Sequence, residues 1–315
     1  MKIYVKSAEK QHQNDGCVAT IGFFDGVHLG HRFLLDCVKQ EARRRGVDAV
    51  AVTFPDSPSR MLHPERDIKL LTMTEEKIRL LHDAGIDRVA MLPFTSDVAA
   101  LSAEDFMTDV LKGQLGVDVL VMGYDHRFGH GGGTNFRHYA DAGSRHGIEV
   151  LQAKLFTFGD DAANGAVSSS AIRDALLTGD LTSANRGLGY LYGIEGVVVG
   201  GYHVGTQLGY PTANIGVDSQ KLIPANGVYA VRVRVGESTE ALGMLNIGCR
   251  PTLGNDRKVS IEVNIFDFHE DIYSQKIAIS FVQYVRKEQR FDSTDELTRQ
   301  LKHDEQVCRR ILTGC

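Results

Sequence analysis

Between residue 17 and about residue 185, the apolar positions fall into two alternating rhythms. Cys17–Phe24 is a continuous apolar run of strand character. A glycine-bearing loop separates it from a helical stripe at Leu29, Phe33, Leu34, Cys37, Val38 and Ala42. Asp48–Phe54 reads as the next strand. Thr72 and Glu75 have the spacing of a capping box, which predicts a helix to about Ala84, ahead of a strand at Arg88–Leu92. Ser102 with Asp105 opens a further helix, and Val117–Gly123 is an apolar strand. A helix near Phe136–His146 and a strand near Glu149–Leu151 follow. Strands separated by helices pair in parallel through right-handed crossovers, so residues 1–185 are expected to form a Rossmann-like α/β domain. Ligands of such sheets bind beyond the carboxyl ends of the strands. The loops 22–31 and 123–129 both lie directly after strands.

From about residue 190 the rhythm changes. Gly196–Gly200, Val228–Val235, Ala241–Ile247, Val259–Phe268 and Ile277–Val285 read as strands, mostly without a helix-length connection between them. Val259, Ile261, Val263 and Ile265 share one face by period-two alternation. The pattern predicts a small antiparallel β-barrel over 186–315, the join lying near Ala184–Tyr190. Ser293 and Glu296 form a capping box for a C-terminal helix through Leu297, Leu301, Val307, Cys308 and Ile311.

Composition narrows the class. The 315 residues suffice for two domains, and 43% hydrophobic with 24% charged residues is a globular balance. A net charge of -5 gives no electrostatic footprint for nucleic acid, and Arg43, Arg44 and Arg45 read as a solvated helix end. No apolar run reaches the length of a bilayer span, and the N-terminus has no signal-peptide core, so a cytoplasmic enzyme without a membrane partner is expected. The five cysteines are irregularly spaced without a CxxC pair. They predict free thiols rather than a zinc site or a disulfide framework, with Cys308 in the core.

Two constellations carry the chemistry. In Gly22-Phe23-Phe24-Asp25-Gly26-Val27-His28-Leu29-Gly30-His31 the glycines permit close backbone approach, and the helix start favours phosphate. Two imidazoles three residues apart can bind one phosphate and stabilise charge at a phosphorus under in-line attack; the same pair also suits a simple capping role. Ser168-Ser169-Ser170-Ala171-Ile172-Arg173 sets hydroxyls at a helix N-terminus with an arginine one turn in, an anion cradle of which N-capping explains only one serine. Farther on, Gly200–Gly209, with Gly201 and Gly205, is glycine-rich but lacks a Walker ending. Tyr210-Pro211-Thr212-Ala213-Asn214 is a fixed turn presenting a hydroxyl and an amide. It suits Mg²⁺ with ATP phosphates, or equally a cap on a strand. Glu262 lies on the face opposite Ile261 and Val263, ordinarily a solvated position.

Together HxGH and SSSxxR resemble the nucleotidyltransferases. The stretches TIGFFDGVHLGHRFLL, Gly123–Gly129 and VSSSAIRDALLTGDLTSANRGLGYLYGIEG are similar to FAD synthetase. GYHVGTQLGYPTANI, Asn226–Tyr229, Asn246–Thr252 and Arg286…Arg290-Phe291 resemble riboflavin kinase. The chain is thus identified as a member of the bacterial bifunctional riboflavin kinase/FAD synthetase family over essentially its whole length. The resemblance implies a nucleotidyltransferase domain, in which His28, His31, Gly22, Phe24, Gly30, Asp125, Ser168, Ser169, Ser170 and Arg173 serve ATP. It implies a kinase barrel in which Gly201, Gly205, Gly209, Pro211, Thr212 and Asn214 hold Mg-ATP and Glu262 is the base. Phe54, Asn246, Arg286 and Phe291 would border the flavin. Its substrates are ATP, riboflavin and FMN. Three departures stand out: Asp56-Ser57 where the family has proline-histidine, Gly131 in place of an arginine, and Thr206 in place of a basic residue. They leave open a kinase with a degenerate synthetase domain, or a flavin-binding regulatory protein. Asp56 is further expected to weaken FMN binding through like charge.

Overall fold

The computed structural model describes residues 3–7, 16–62, 65, 67–124, 126–130, 135–157, 167–200, 208–238, 240–250 and 258–314. The chain divides into two compact units, Met1–Ser169 and Ser170–Cys315.

In the first unit β1 (Tyr4–Ser7), β2 (Cys17–Ile21), β3 (Asp48–Thr53), β4 (Arg88–Met91), β5 (Val117–Met122) and β6 (Glu149–Gln152) form one sheet in the order β1-β4-β3-β2-β5-β6. All pairs are parallel except β1 with β4. Every residue of β2 and β3 is buried, because helices cover both faces, and this is why those strands read as unbroken apolar runs. One face packs Ile21, Val52 and Leu120 against Met107. The other packs Val18, Ala51 and Val119 against Leu35 and Leu81. The helices are α1 (Leu29–Arg45), α2 (Pro58–Leu62), α3 (Thr74–Asp83), α4 (Ser96–Ala100), α5 (Ala103–Asp105) and α6 (Phe136–Arg145). From α5 the chain passes into a π-helical stretch, Phe106–Lys112. Ser102 caps α5 as expected, accepting the Asp105 N–H at 3.1 Å.

The cap of α3 corrects the sequence reading. The helix begins at Thr74, and Glu76 rather than Glu75 accepts the N–H of the capping residue, Met73, at 3.1 Å. Thr72 is drawn off because its hydroxyl is bound to Asp25.

The second unit holds α7 (Ser169–Thr178) beyond its first residue, then α8 (Leu181–Leu188), a six-stranded barrel and α9 (Thr294–Thr313). The strands β7 (Gly193–Val199), β8 (Ala213–Val217), β9 (Gly227–Val235), β10 (Ala241–Arg250), β11 (Lys258–Ile265) and β12 (Lys276–Arg286) close in the order β10-β11-β8-β7-β12-β9, all antiparallel. Tyr229, Val231, Leu245, Ile261, Val263 and Phe281 are buried at alternating positions and fill the barrel. Val259, expected to share that burial, is half-exposed near the start of β11. The opposite faces of β9 and β10 present Ala230 and Met244 to Cys308 and Leu312 of α9. Ser293 caps α9 by accepting the Glu296 N–H at 3.2 Å. The reciprocal half of the expected box shifts by one residue, Glu296 accepting the Asp292 N–H at 3.3 Å.

Candidate active sites

The strand order of the first unit reverses at β2: β3 and β4 extend the sheet on one side, β5 and β6 on the other. The loops after β2 and β5 therefore border the crevice where open α/β sheets bind ligands. The first of them is a tight turn, with Gly26 at φ 81° and two non-glycine residues in the left-handed region, Phe24 at 52° and Val27 at 34°. Such residues cost about 1–3 kcal/mol each and persist only where their surroundings hold them. Buried Asp25 does much of the holding. Its carboxylate accepts the N–H groups of Leu71 (3.1 Å) and Thr72 (3.0 Å) and the Thr72 hydroxyl (3.2 Å), while that hydroxyl accepts the Gly26 N–H at 3.0 Å. The Ser169 hydroxyl donates to the Asp25 carbonyl at 2.9 Å, which ties the serine run to this turn.

The two histidines sit together at the start of α1. His28 is the N-cap, its Nδ1 accepting the His31 N–H at 3.3 Å. The rings stack with centroids 3.6 Å apart and planes 16° apart, and Phe24 meets His31 edge-on at 5.2 Å. Burial, and after it the neighbouring His28, hold the His31 imidazole well below the usual histidine range. Among the described residues, Nδ1 of His31 is buried with no hydrogen-bond partner. The capping role foreseen for the pair is thus real, and it leaves ring nitrogen in hand. A side chain would clash at Gly22 and be crowded at Gly30. A Cβ on Gly22 would lie 2.8 Å from the Phe24 ring, and one on Gly30 3.3 Å from His28 and 3.4 Å from the Val167 carbonyl.

Other expected residues are placed as follows. Ser168 precedes α7; Ser169 and Ser170 are in its first turn, and Arg173 stands one turn in. Phe54 is buried in the core, edge-on to Phe94 at 5.4 Å. Asp56 is exposed, whereas Ser57 is buried. Asp125 and Gly131 lie outside the described residues. Tyr139, missed in the sequence, fixes the loop after β5, its hydroxyl accepting the Phe128 N–H at 3.0 Å and donating to the Phe128 carbonyl at 2.9 Å.

On the barrel, Arg286, Val228, Asn246, Glu262 and Asn214 are successive cross-strand neighbours on β12, β9, β10, β11 and β8. Directly opposed residues share a face, so this track faces away from the barrel interior. It borders a cavity of about 370 Å³ lined by Thr212, Asn246, Glu262, Arg286 and Phe291 among others. The Thr212 hydroxyl donates to Glu262 at 3.4 Å. Asn264, two residues farther along β11, donates to the Pro211 carbonyl at 2.7 Å and so fixes the turn that carries Thr212. A second cavity, of about 230 Å³, is lined by Val199, Pro211, Thr212, Ile265 and Tyr273 among others. Thr212 lines both.

Arg286 lines the larger cavity, as expected of a residue bordering a ligand, while its charge is taken up within the protein. Its guanidinium is committed to Asp304 of α9, through Nε to both carboxylate oxygens (2.9 and 3.0 Å) and Nη2 at 2.6 Å, and to the Lys287 carbonyl at 2.9 Å. Gln300 also donates to Asp304, at 2.8 Å. Phe291 lies 5.9 Å from the guanidinium. Gly209 takes a left-handed φ of 80°, and Gly201, Gly205 and Thr206 lie outside the described residues. Among the described residues no cluster of three His, Cys, Asp or Glu could hold a metal. A Mg²⁺ ion needs no such cluster, since it takes hard oxygens, keeps several waters and binds substrate phosphates. The Thr212 hydroxyl and the Asn214 amide are donors of that kind.

A family model for FAD synthetase matches residues 10–171, and one for riboflavin kinase matches 188–312. Curated relatives described as bifunctional riboflavin kinase/FMN adenylyltransferase are similar over nearly the full chain. The protein from Escherichia coli (strain K12) is 37% identical, covering 95% of this chain and 94% of its own. That from Listeria monocytogenes is 38% identical over 93% and 91%, and that from Bacillus subtilis 36% over 94% and 93%. A crystal structure from Streptococcus pneumoniae, described as a macrolide-efflux protein, superposes with a TM-score of 0.83 at 32% identity, covering 93% of this chain and 94% of that one. Among the described residues of this chain, no helix is long and apolar enough to cross a membrane.

Proposed function

The chain belongs to the family of bifunctional riboflavin kinase/FMN adenylyltransferases, and on that premise we propose how its residues divide the two reactions. It phosphorylates riboflavin to FMN with ATP, then adenylylates FMN to FAD with release of pyrophosphate.

We assign phosphorylation to the barrel. The observation that carries this is Thr212, which lines both cavities and reaches Glu262. Riboflavin occupies the larger cavity, bordered by Asn246 and Phe291, and ATP the smaller, with its γ-phosphate at the shared residue. Glu262 takes the proton of the ribityl hydroxyl as that oxygen attacks the γ-phosphorus. The bond to the β-phosphate breaks and ADP leaves. A positioned base contributes roughly 10²–10⁴-fold. Thr212 and Asn214 would hold Mg²⁺ with the nucleotide, and the ion would supply charge neutralisation of the phosphates.

Adenylylation we assign to the loop after β2 together with Ser169, which donates to that loop. An oxygen of the FMN phosphate attacks the α-phosphorus of ATP, and pyrophosphate departs in line. His28, His31 and Ser169 stabilise the charge at that phosphorus. The free thiols Cys17, Cys37, Cys249 and Cys308 fit a reducing compartment, and we place the enzyme in the cytoplasm with these small molecules as its only substrates.

The test is a time course with riboflavin and Mg-ATP, FMN and FAD being separated by chromatography. FMN is expected first and FAD after it. His28→Ala with His31→Ala should stop the sequence at FMN; FAD formation at the wild-type rate by that variant overturns the assignment.

A further inference from the structure

Lys77 on α3 is only 1% exposed, and neither proposed reaction uses it. An ammonium is held in a protein interior only where its donors are satisfied and opposite charge is close. Its Nζ donates to the carbonyls of Phe54 at 2.7 Å and Phe23 at 3.1 Å, and stands 4.1 Å from the Phe23 ring centroid. These carbonyls follow the ends of β3 and β2, which are adjacent and parallel. They mark the points where the Asp56-Ser57 loop and the histidine loop leave the sheet.

Phe23 is the last residue before the left-handed turn at Phe24. The backbone of Leu71 and Thr72, leading into α3, holds that same turn through Asp25. One helix and its lead-in thus grip the turn by two opposite charges, Asp25 of the turn itself and Lys77 beneath it. A neutral donor is already present at Phe23, where the Thr53 hydroxyl donates to the same carbonyl at 3.1 Å. What the ammonium adds is fixed positive charge, close enough to His31 to help keep that imidazole unprotonated after burial and His28 have acted.

We propose that Lys77 is a positioning residue of adenylyl transfer, whose ammonium fixes the departure of both loops and keeps positive charge behind the histidine pair. The proposal rests on the assignment of His28 and His31 to that reaction. Burial pulls the lysine pKa down to about 8, opposed by Asp25 and Asp56 on the two loops. His31 on α1 is the remaining titratable group coupled to it, and Glu76 beside it is engaged with the Met73 N–H. Loss of the proton removes both the charge and a donor, so adenylylation falls as pH rises through this value.

The full chain, with Lys77→Met, Lys77→Arg and the His28→Ala/His31→Ala pair, is assayed for FAD formation from FMN between about pH 6.5 and 9.5, on either side of the lysine pKa. Circular-dichroism melting of the same samples reports folding of the unit that carries Lys77, and riboflavin phosphorylation reports an intact barrel. Lys77→Met is expected to lower kcat for adenylylation by about 10²-fold, the scale of a small misplacement of reacting groups, with phosphorylation unchanged. Lys77→Arg, charged at every pH used, is expected to recover much of the rate and to lose the alkaline fall. If Lys77→Met keeps kcat within about twofold of wild type while the histidine pair abolishes FAD formation, the lysine proposal alone is overturned. An alkaline fall retained in Lys77→Arg overturns it too, even where Lys77→Met does not fold. FAD formation by the histidine pair overturns the site assignment itself.

Discussion

The Thr212 hydroxyl donates to the Glu262 carboxylate at 3.4 Å, from the turn ahead of β8 to the middle of β11. The hydrogen bond holds the carboxylate beside Thr212, which lines both cavities and where we propose that the alcohol and the γ-phosphate meet. Glu262→Gln keeps the size and removes the base, so kcat for riboflavin phosphorylation should fall by roughly 10²–10⁴-fold. Thr212→Val should lower the same rate and raise KM for Mg-ATP, since it removes a phosphate-side oxygen as well. FAD formation from supplied FMN should be unchanged in both. Equal loss of the two activities in either variant speaks against independent sites.

Asp304 is 1% exposed and carries most of the burden of neutralising Arg286. Asp304→Asn leaves a part-buried guanidinium without its counter-charge, a change that costs up to about 3–5 kcal/mol where burial is complete and less where water reaches the group. The denaturant midpoint for loss of kinase activity should drop accordingly, and adenylylation should survive to higher denaturant than phosphorylation. Coincident loss of both activities would count against a local effect.

His31 carries a pH signature in stability. In the unfolded chain it protonates near 6.5, whereas burial keeps it neutral in the fold to well below that value. Below about pH 6.5 the unfolded state therefore binds more protons, so stability is present above that pH and is lost as pH falls toward the folded pKa. Denaturation midpoints of wild type at about pH 7.5 and 5 should differ more than those of His31→Gln. Identical slopes would show that the imidazole is not held neutral.

Gly22→Ala places a methyl 2.8 Å from the ring of Phe24, a buried residue whose left-handed backbone prevents it from swinging aside. The loop must shift instead, and kcat for adenylylation should fall about tenfold or more while phosphorylation holds. An unaltered FAD rate would mean that the turn has slack the packing does not suggest.

The sequence made the sheet legible because β2, β3 and β5 are covered on both faces and so run apolar without interruption. Strand β1 escaped notice because all four of its residues are exposed, and β8 because it follows directly on the Pro211-Thr212 turn. Of the candidate site, the histidine pair, Thr212 and Glu262 were visible through local spacing. Asp25, Thr72 and Lys77 were not, since the partners that give them meaning lie 47 positions apart for Asp25 and Thr72 and 54 for Lys77 and Phe23. The same distance explains the misplaced cap: Thr72 and Glu75 have the right spacing, but Asp25 had already claimed the hydroxyl. That Arg286 is held by Asp304 was not legible either, because a partner from α9 leaves no mark on the strand itself.

The track of neighbours from Arg286 to Asn214 ties chemistry to parity. In a strand, odd and even positions face opposite ways. Deleting one residue ahead of Glu262 within β11 would therefore turn a carboxylate into the barrel interior and set Ile261 or Val263 against the substrate. A closed barrel has no edge strand along which such a slip could relax. Changes of length in this half of the molecule are thus confined to the connections between strands, and a chimera that splices barrels from two relatives keeps activity only when it conserves residue count within each strand.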